Sequence, residues 1–291
     1  MLDDAKSALE FLGAAPEDFA HAADPDRAAG ALAAMKTKDP QALARLWGSS
    51  HTRHRLISLV GVSDGLVDFL LKHPEQWNLV ETPLTGVPTA REYQKLVLSA
   101  VDGKSESDAV SAMRVAYRRE LCRLALYDAS AEKPVDLVPD IARALADMAG
   151  AALDASLHIA RKTLGHDESD VPLAIIGMGK AGARELNYLS DVDVIYVTQV
   201  PEGAHQETVL KAATALAQAT ARGITDFQKE PGLWEVDANL RPEGKDGALV
   251  RTLDSHMAYY QRWASDWEFQ ALIKARPLAG DLTLGAAYRE A

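Results

Sequence analysis

Two aspartates one residue apart, Asp191 and Asp193, follow an apolar run and a glycine turn, Gly177-Met178-Gly179-Lys180. Residues 171–176 read as a strand, the turn as the opening of a short helix, and 192–197 as a second strand. Strand side chains alternate faces, so Asp191 and Asp193 point the same way, within reach of one divalent cation. A glycine turn that opens a helix offers backbone N–H groups to a phosphate. Carboxylates for Mg²⁺ or Mn²⁺ beside a phosphate cradle are the parts that nucleotidyl transfer requires. Catalysis there is mostly positioning and charge neutralisation.

Two carboxylates leave a two-metal site incomplete, so a third acid is expected from a neighbouring strand. Asp237, in the strand-like Trp234-Glu235-Val236-Asp237, is the candidate, and Glu235 is its competitor. Gly177, Gly179 and Lys180 form the expected phosphate set. Lys180 and Arg184 stand four apart on the predicted helix, where both can face the same phosphates; a solvated helix face suits Arg184 equally well. Arg241, at the end of a third strand read over 233–240, either clamps phosphate or pairs with an acid.

The elements that must position these groups divide the chain in two. Residues 1–165 carry helical periodicity broken by turn signals, including Asp24-Pro25, Asp39-Pro40 and His73-Pro74. Residues 110–127 and 141–164 read as longer helices, with a break at Pro134 and Pro139. From 166 the strands begin, with a helix over 208–221 and two helical patterns over 253–265 and 267–274. The chain ends at Ala291 inside a helical pattern without a stop signal, so a catalytic domain truncated in its C-terminal helical part is expected.

Other residues receive plainer readings. His51 and His54 have a spacing that suits a metal, but nothing nearby completes a shell, and a surface helix is the expectation. Tyr259, Tyr260, Trp263 and Trp267 sit at helical spacing and read as core. Glu268, Lys274 and Arg276 suit either catalysis or an ion network. Cys122, the single cysteine, reads as a core residue and excludes an intramolecular disulfide.

At 291 residues and 47% hydrophobic content, the chain holds ample core for one large or two ordinary domains. A net charge of −11 argues against a general grip on nucleic acid, while leaving room for a small nucleotide held through a cation. No run approaches the ~18 apolar residues of a membrane span, and no basic-then-apolar leader opens the chain; the expectation is cytoplasmic.

Three blocks resemble one family. They are Gly177–Tyr188 with Ser190-Asp191-Val192-Asp193, then Val236-Asp237-Ala238-Asn239-Leu240-Arg241-Pro242, then Asp266-Trp267-Glu268 through Lys274-Ala275-Arg276. In order and spacing they resemble the bifunctional glutamine synthetase adenylyltransferase/adenylyl-removing family, over residues 172–281. Ala183 departs from the pattern, standing where a second glycine is usual. The resemblance implies an α+β fold, predominantly helical, with a polymerase-β-like, nucleotidyltransferase-type small mixed sheet flanked by helices. It implies Asp191, Asp193 and Asp237 as metal ligands. It further implies glutamine synthetase, a PII-type nitrogen-signalling protein, adenine nucleotides (AMP, ADP, ATP) and phosphate as partners. The methionine start and the Lys274-Ala275-Arg276-Pro277 block resemble the amino-terminal half, which removes AMP by phosphorolysis. ATP-dependent adenylylation and a silent regulatory scaffold are the alternatives.

Overall fold

The computed structural model describes residues 2–291, with side chains from residue 4 onward. The chain forms two compact units, each drawn from two stretches: residues through Val87 with Arg118–Ile141, and Pro88–Tyr117 with Ala142–Ala291. The sheet lies wholly in the second unit, together with helical residues from before position 166.

The first unit opens with helices α1 (Leu2–Leu12), α2 (Pro25–Lys38), α3 (Pro40–Trp47), α4 (Ser50–Val60) and α5 (Asp64–Lys72), followed by a 3₁₀ stretch over Pro74–Glu81. The Asp-Pro pairs act as the sequence suggests. Asp24 and Asp39 accept the backbone N–H groups of Arg27 and Ala42, and each proline takes the first helical position. Leu32, Met35, Leu43, Leu46, Leu56 and Leu59 are buried as its core. The buried Trp77 indole donates to the Leu70 carbonyl at 2.7 Å.

Helices α6 (Ala90–Val101), α7 (Glu106–Ala129) and α8 (Pro134–Leu164) come next. Pro139 does not break α8, contrary to its composition. Proline removes a single amide donor, and the carbonyl it would have used belongs to Val135, which is exposed. Cys122 lies fully buried in α7, and burial pushes its thiol up to about 12.

The sheet follows the α+β expectation. Strand β1 (Leu173–Gly177) leads into α9 (Gly179–Ala183), then β2 (Val192–Thr198), α10 (Gln206–Thr225), β3 (Val236–Asp237) and β4 (Val250–Thr252). Helices α11 (Leu253–Arg262) and α12 (Asp266–Leu272), strand β5 (Arg276–Gly280) and α13 (Leu282–Glu290) complete it. Strand β1 is central, antiparallel to β2 on one side and β5 on the other. The opposite flank of β2 carries β3 and β4, both parallel to it: β3 beside Val192 and Asp193, β4 beside Tyr196–Thr198. They form one lane of the sheet in two pieces, with residues 238–249 leaving it between them.

The third strand is thus shorter than the predicted 233–240. Asn239 N–H bonds the Asp237 carboxylate and Arg241 N–H bonds the Ala238 carbonyl, which turns the chain away immediately. Strand β5 is not foreseen, because Pro277 argues against a strand. The proline sits on the sheet edge where the register with β1 slips, a place where its missing N–H costs nothing.

Strand β1 is buried along its whole length, and most of β2 is buried too. On one face, Ala174, Ile176, Ile195 and Val197 pack with Met178, Leu284 and Tyr288. By alternation Asp193 belongs to this same face, at the end nearest α9.

Candidate active site

Backbone geometry brings the three acids together. Asp191 immediately precedes β2 and Asp193 is its second residue, and the parallel register sets Asp237 directly beside Asp193. One carboxylate oxygen from each of Asp191, Asp193 and Asp237 lies within 4.8 Å of the others. Glu235 is exposed and outside this group; its backbone carbonyl instead accepts the Val192 N–H.

The glycine turn closes over this cluster. Met178 N–H donates to the Asp193 carbonyl at 2.9 Å, and Gly179 adopts φ +49°, a conformation suited to glycine. A Cβ at Gly179 would collide with the Asp193 carboxylate. Lys180 Nζ reaches Asp191 at 3.9 Å and the Asn187 side-chain oxygen at 3.3 Å, and is the cation nearest the acids by these contacts.

Partial burial, then the charges of Asp191 and Asp237, hold the Asp193 carboxyl above the ordinary carboxylate range; Lys180 opposes them. Three carboxylates converging on one point suit a hard divalent cation. An all-oxygen donor set fits Mg²⁺ or Mn²⁺ and lacks the nitrogen or sulfur favoured by softer metals.

Two predicted phosphate ligands have other partners. Helix α9 ends at Ala183, so Arg184 is not one turn beyond Lys180 on a continuing helix. It caps α9 in the left-handed region at φ 60°, and its guanidinium pairs with Asp147 at 3.3 Å. Arg241 donates to the carbonyls of Ala238, Lys245 and Gly247, holding the loop after β3.

The undecided residues also resolve. Glu268 caps α12 through Ser265 N–H and accepts from the Tyr259 hydroxyl. Lys274 pairs with Glu185 at 2.9 Å. Trp263 and Trp267 are exposed rather than core, Trp263 at 75%, because α11 ends at Arg262 and α12 restarts the helical phase. His54 lies on α4 edge-on to His21, and among the described residues no metal-capable group of three surrounds it.

Sequence reasoning passes over Asp147, 2% exposed by side chain and ion-paired to Arg184 and Arg276. An acid inside the apolar run Ala144-Leu145-Ala146-Asp147-Met148-Ala149 is the signal that marks it.

No helix among the described residues is long and apolar enough to cross a membrane. Residues 53–291 match the family described as glutamate-ammonia ligase adenylyltransferase. The chain is similar to proteins named bifunctional glutamine synthetase adenylyltransferase/adenylyl-removing enzyme in several bacteria. Identity is 49% over 284 residues with that of Leifsonia xyli subsp. xyli, covering 92% of this chain and 28% of the relative. With the Streptomyces avermitilis protein it is 43% over 288 residues, covering 96% and 27%. With the Mycolicibacterium smegmatis protein it is 45% over 246 residues, covering 82% and 24%. The chain spans about a quarter of these relatives' length.

Proposed function

Because the chain belongs to the glutamate-ammonia ligase adenylyltransferase family, we propose that it removes AMP from an adenylylated tyrosine of glutamine synthetase by phosphorolysis. The observation that carries this reading is the convergence of Asp191, Asp193 and Asp237 beneath the Gly179 turn. An oxygen of inorganic phosphate attacks the AMP phosphorus, the bond from phosphorus to the tyrosine oxygen breaks, and the phenolate leaves to take up a proton. The products are ADP and an unmodified tyrosine. No nucleophile from the protein is needed.

In this reading Asp191, Asp193 and Asp237 hold Mg²⁺ or Mn²⁺, which supplies charge neutralisation at the phosphoryl oxygens. Gly177 and Gly179 allow the backbone to approach phosphate, and Lys180 adds a positive charge beside it. Arg184 and Arg241 support the site from outside: one anchors the end of α9, the other shapes the loop after β3. The wider context proposed is a cytoplasmic enzyme whose partners are glutamine synthetase and a PII-type nitrogen-signalling protein.

The names of the relatives carry two activities, and ATP-dependent adenylylation would use the same acids. The chain is incubated with adenylylated glutamine synthetase, phosphate and Mn²⁺, and separately with unmodified glutamine synthetase and labelled ATP. Phosphate-dependent release of ADP supports removal. Labelling of the unmodified enzyme without such release overturns the proposed direction.

A further inference from the structure

Arg276 opens β5 directly opposite Gly177, the last residue of β1 before the glycine turn. Its side chain folds under α9. Nε donates to the Gly182 carbonyl at 3.1 Å and Nη2 to the Ala181 carbonyl at 2.9 Å, so one planar fork takes two carbonyls at the end of this helix. The remaining nitrogen, Nη1, faces Asp147 on α8 at 3.6 Å, and Arg184 approaches the same carboxylate oxygen at 3.3 Å. Asp147 is therefore a buried anchor shared by two arginines, one holding α9 from below and the other capping it.

Contact of α9 with the turn before β5 and with the end of β1 is close enough to demand glycine. A Cβ at Gly182 would collide with the carbonyls of Lys274 and Gly177. At its other end, α9 begins at Gly179, against the Asp193 carboxylate, with Met178 N–H on the Asp193 carbonyl. A five-residue helix is too short to hold itself in place. Whatever fixes its end fixes the turn, and the turn bounds the space of Asp193.

We propose that Arg276, anchored by Asp147, is a positioning residue for the acid cluster: it fixes α9, and through the Gly179 turn it sets where the Asp193 carboxylate stands. This rests on the reading that Asp191, Asp193 and Asp237 hold a divalent cation. It goes beyond that reading by assigning the cation's affinity to a pair that touches neither metal nor substrate. The fork, not the charge, carries the effect, so lysine at 276 does not substitute for arginine.

The test is calorimetric titration of the whole chain with MnCl₂ alone, paired with thermal unfolding. Arg276→Lys keeps a positive charge near Asp147 but cannot bridge both carbonyls. It is expected to weaken the Mn²⁺ Kd about tenfold while remaining folded. Asp147→Asn, which leaves the fork but frees its base, is expected to weaken it at least threefold. Lys274→Ala, which removes the neighbouring pair with Glu185, is expected to leave the Kd within twofold of wild type. Wild-type Mn²⁺ affinity in folded Arg276→Lys, or in folded Asp147→Asn, overturns the proposal and leaves the metal site standing. Absence of Mn²⁺ binding in the wild-type chain overturns the metal site itself, and this inference with it.

Discussion

The Asp193 carboxylate occupies the volume that any side chain at Gly179 would claim. The two residues are not neighbours in sequence, yet the Met178–Asp193 backbone hydrogen bond locks them together at the end of the β1–β2 pair. Gly179→Ala therefore carries two penalties. Alanine at φ +49° costs about 1–2 kcal/mol of backbone strain, and its methyl group displaces the carboxylate. The expected outcome is a chain that folds, with Tm lowered by several degrees and Mn²⁺ affinity reduced tenfold or more. Calorimetry alongside circular dichroism checks both.

Asp193→Asn separates function from stability. On the proposed role of Asp193 as a metal ligand, loss of its carboxylate is expected to cost about 3 kcal/mol or more of transition-state stabilisation, over a hundredfold in rate. Metal-free stability should move the other way. The folded-state pKa of Asp193 lies above its ordinary value of 3.8, so the folded chain holds this proton more tightly than the unfolded chain does. Stability is lost as pH rises through that window, and ionised Asp193 is a cost at neutral pH. An asparagine removes the cost, so the metal-free Tm at pH 7 should equal or exceed that of wild type. Thermal scans in the presence of a chelator, with single-turnover ADP release, read the two effects.

His256 gives the chain a second acid sensitivity of opposite sign. It is 1% exposed on α11, between Tyr260 and Tyr288, and burial lowers its pKa from 6.5 to about 4. Between these values the unfolded chain binds a proton that the folded chain does not, so stability falls as pH drops through the window. The total is about 3 kcal/mol. His256→Phe should flatten this dependence. Urea unfolding of both chains at pH 7 and pH 5 measures the difference.

Gly30 offers the contrasting glycine. It is exposed in the middle of α2, and an added Cβ meets nothing within 4 Å. Gly30→Ala should raise stability by about 0.5–1 kcal/mol through the entropy of the unfolded chain and helix propensity. An upward shift of the urea midpoint with an unchanged slope would show it.

The acid cluster was legible because its information is local. Alternation on one strand aligns Asp191 with Asp193, and a single further strand supplies Asp237. Helix starts were legible for the same reason, since Asp24-Pro25 and Asp39-Pro40 carry their own caps. What the residues hid was long-range. Asp147 and Arg276 are distant in sequence, and an arginine at a strand entrance does not reveal that its fork turns back under a helix. Pro277 concealed β5 because its tolerance depends on a register slip against β1 that exists only in the assembled sheet. Arg184 and Arg241 have protein partners that their places in the sequence do not announce. One pairs with a buried acid and the other holds loop carbonyls.

The divided lane beside β2 has an architectural consequence. Strands β3 and β4 take their registers from separate parts of the same neighbour, so neither depends on the path between them. Residues 238–249 run between the two pieces, tied at their start to Asp237 through the Asn239 N–H and held in shape by Arg241 on the carbonyls of Ala238, Lys245 and Gly247. Pairing with β2 on either side of this loop keeps Asp237 level with Asp193 and Val250 level with Tyr196. Register with β2 thereby sets where the acid stands, while the loop between the two pieces sets the surface presented beside it.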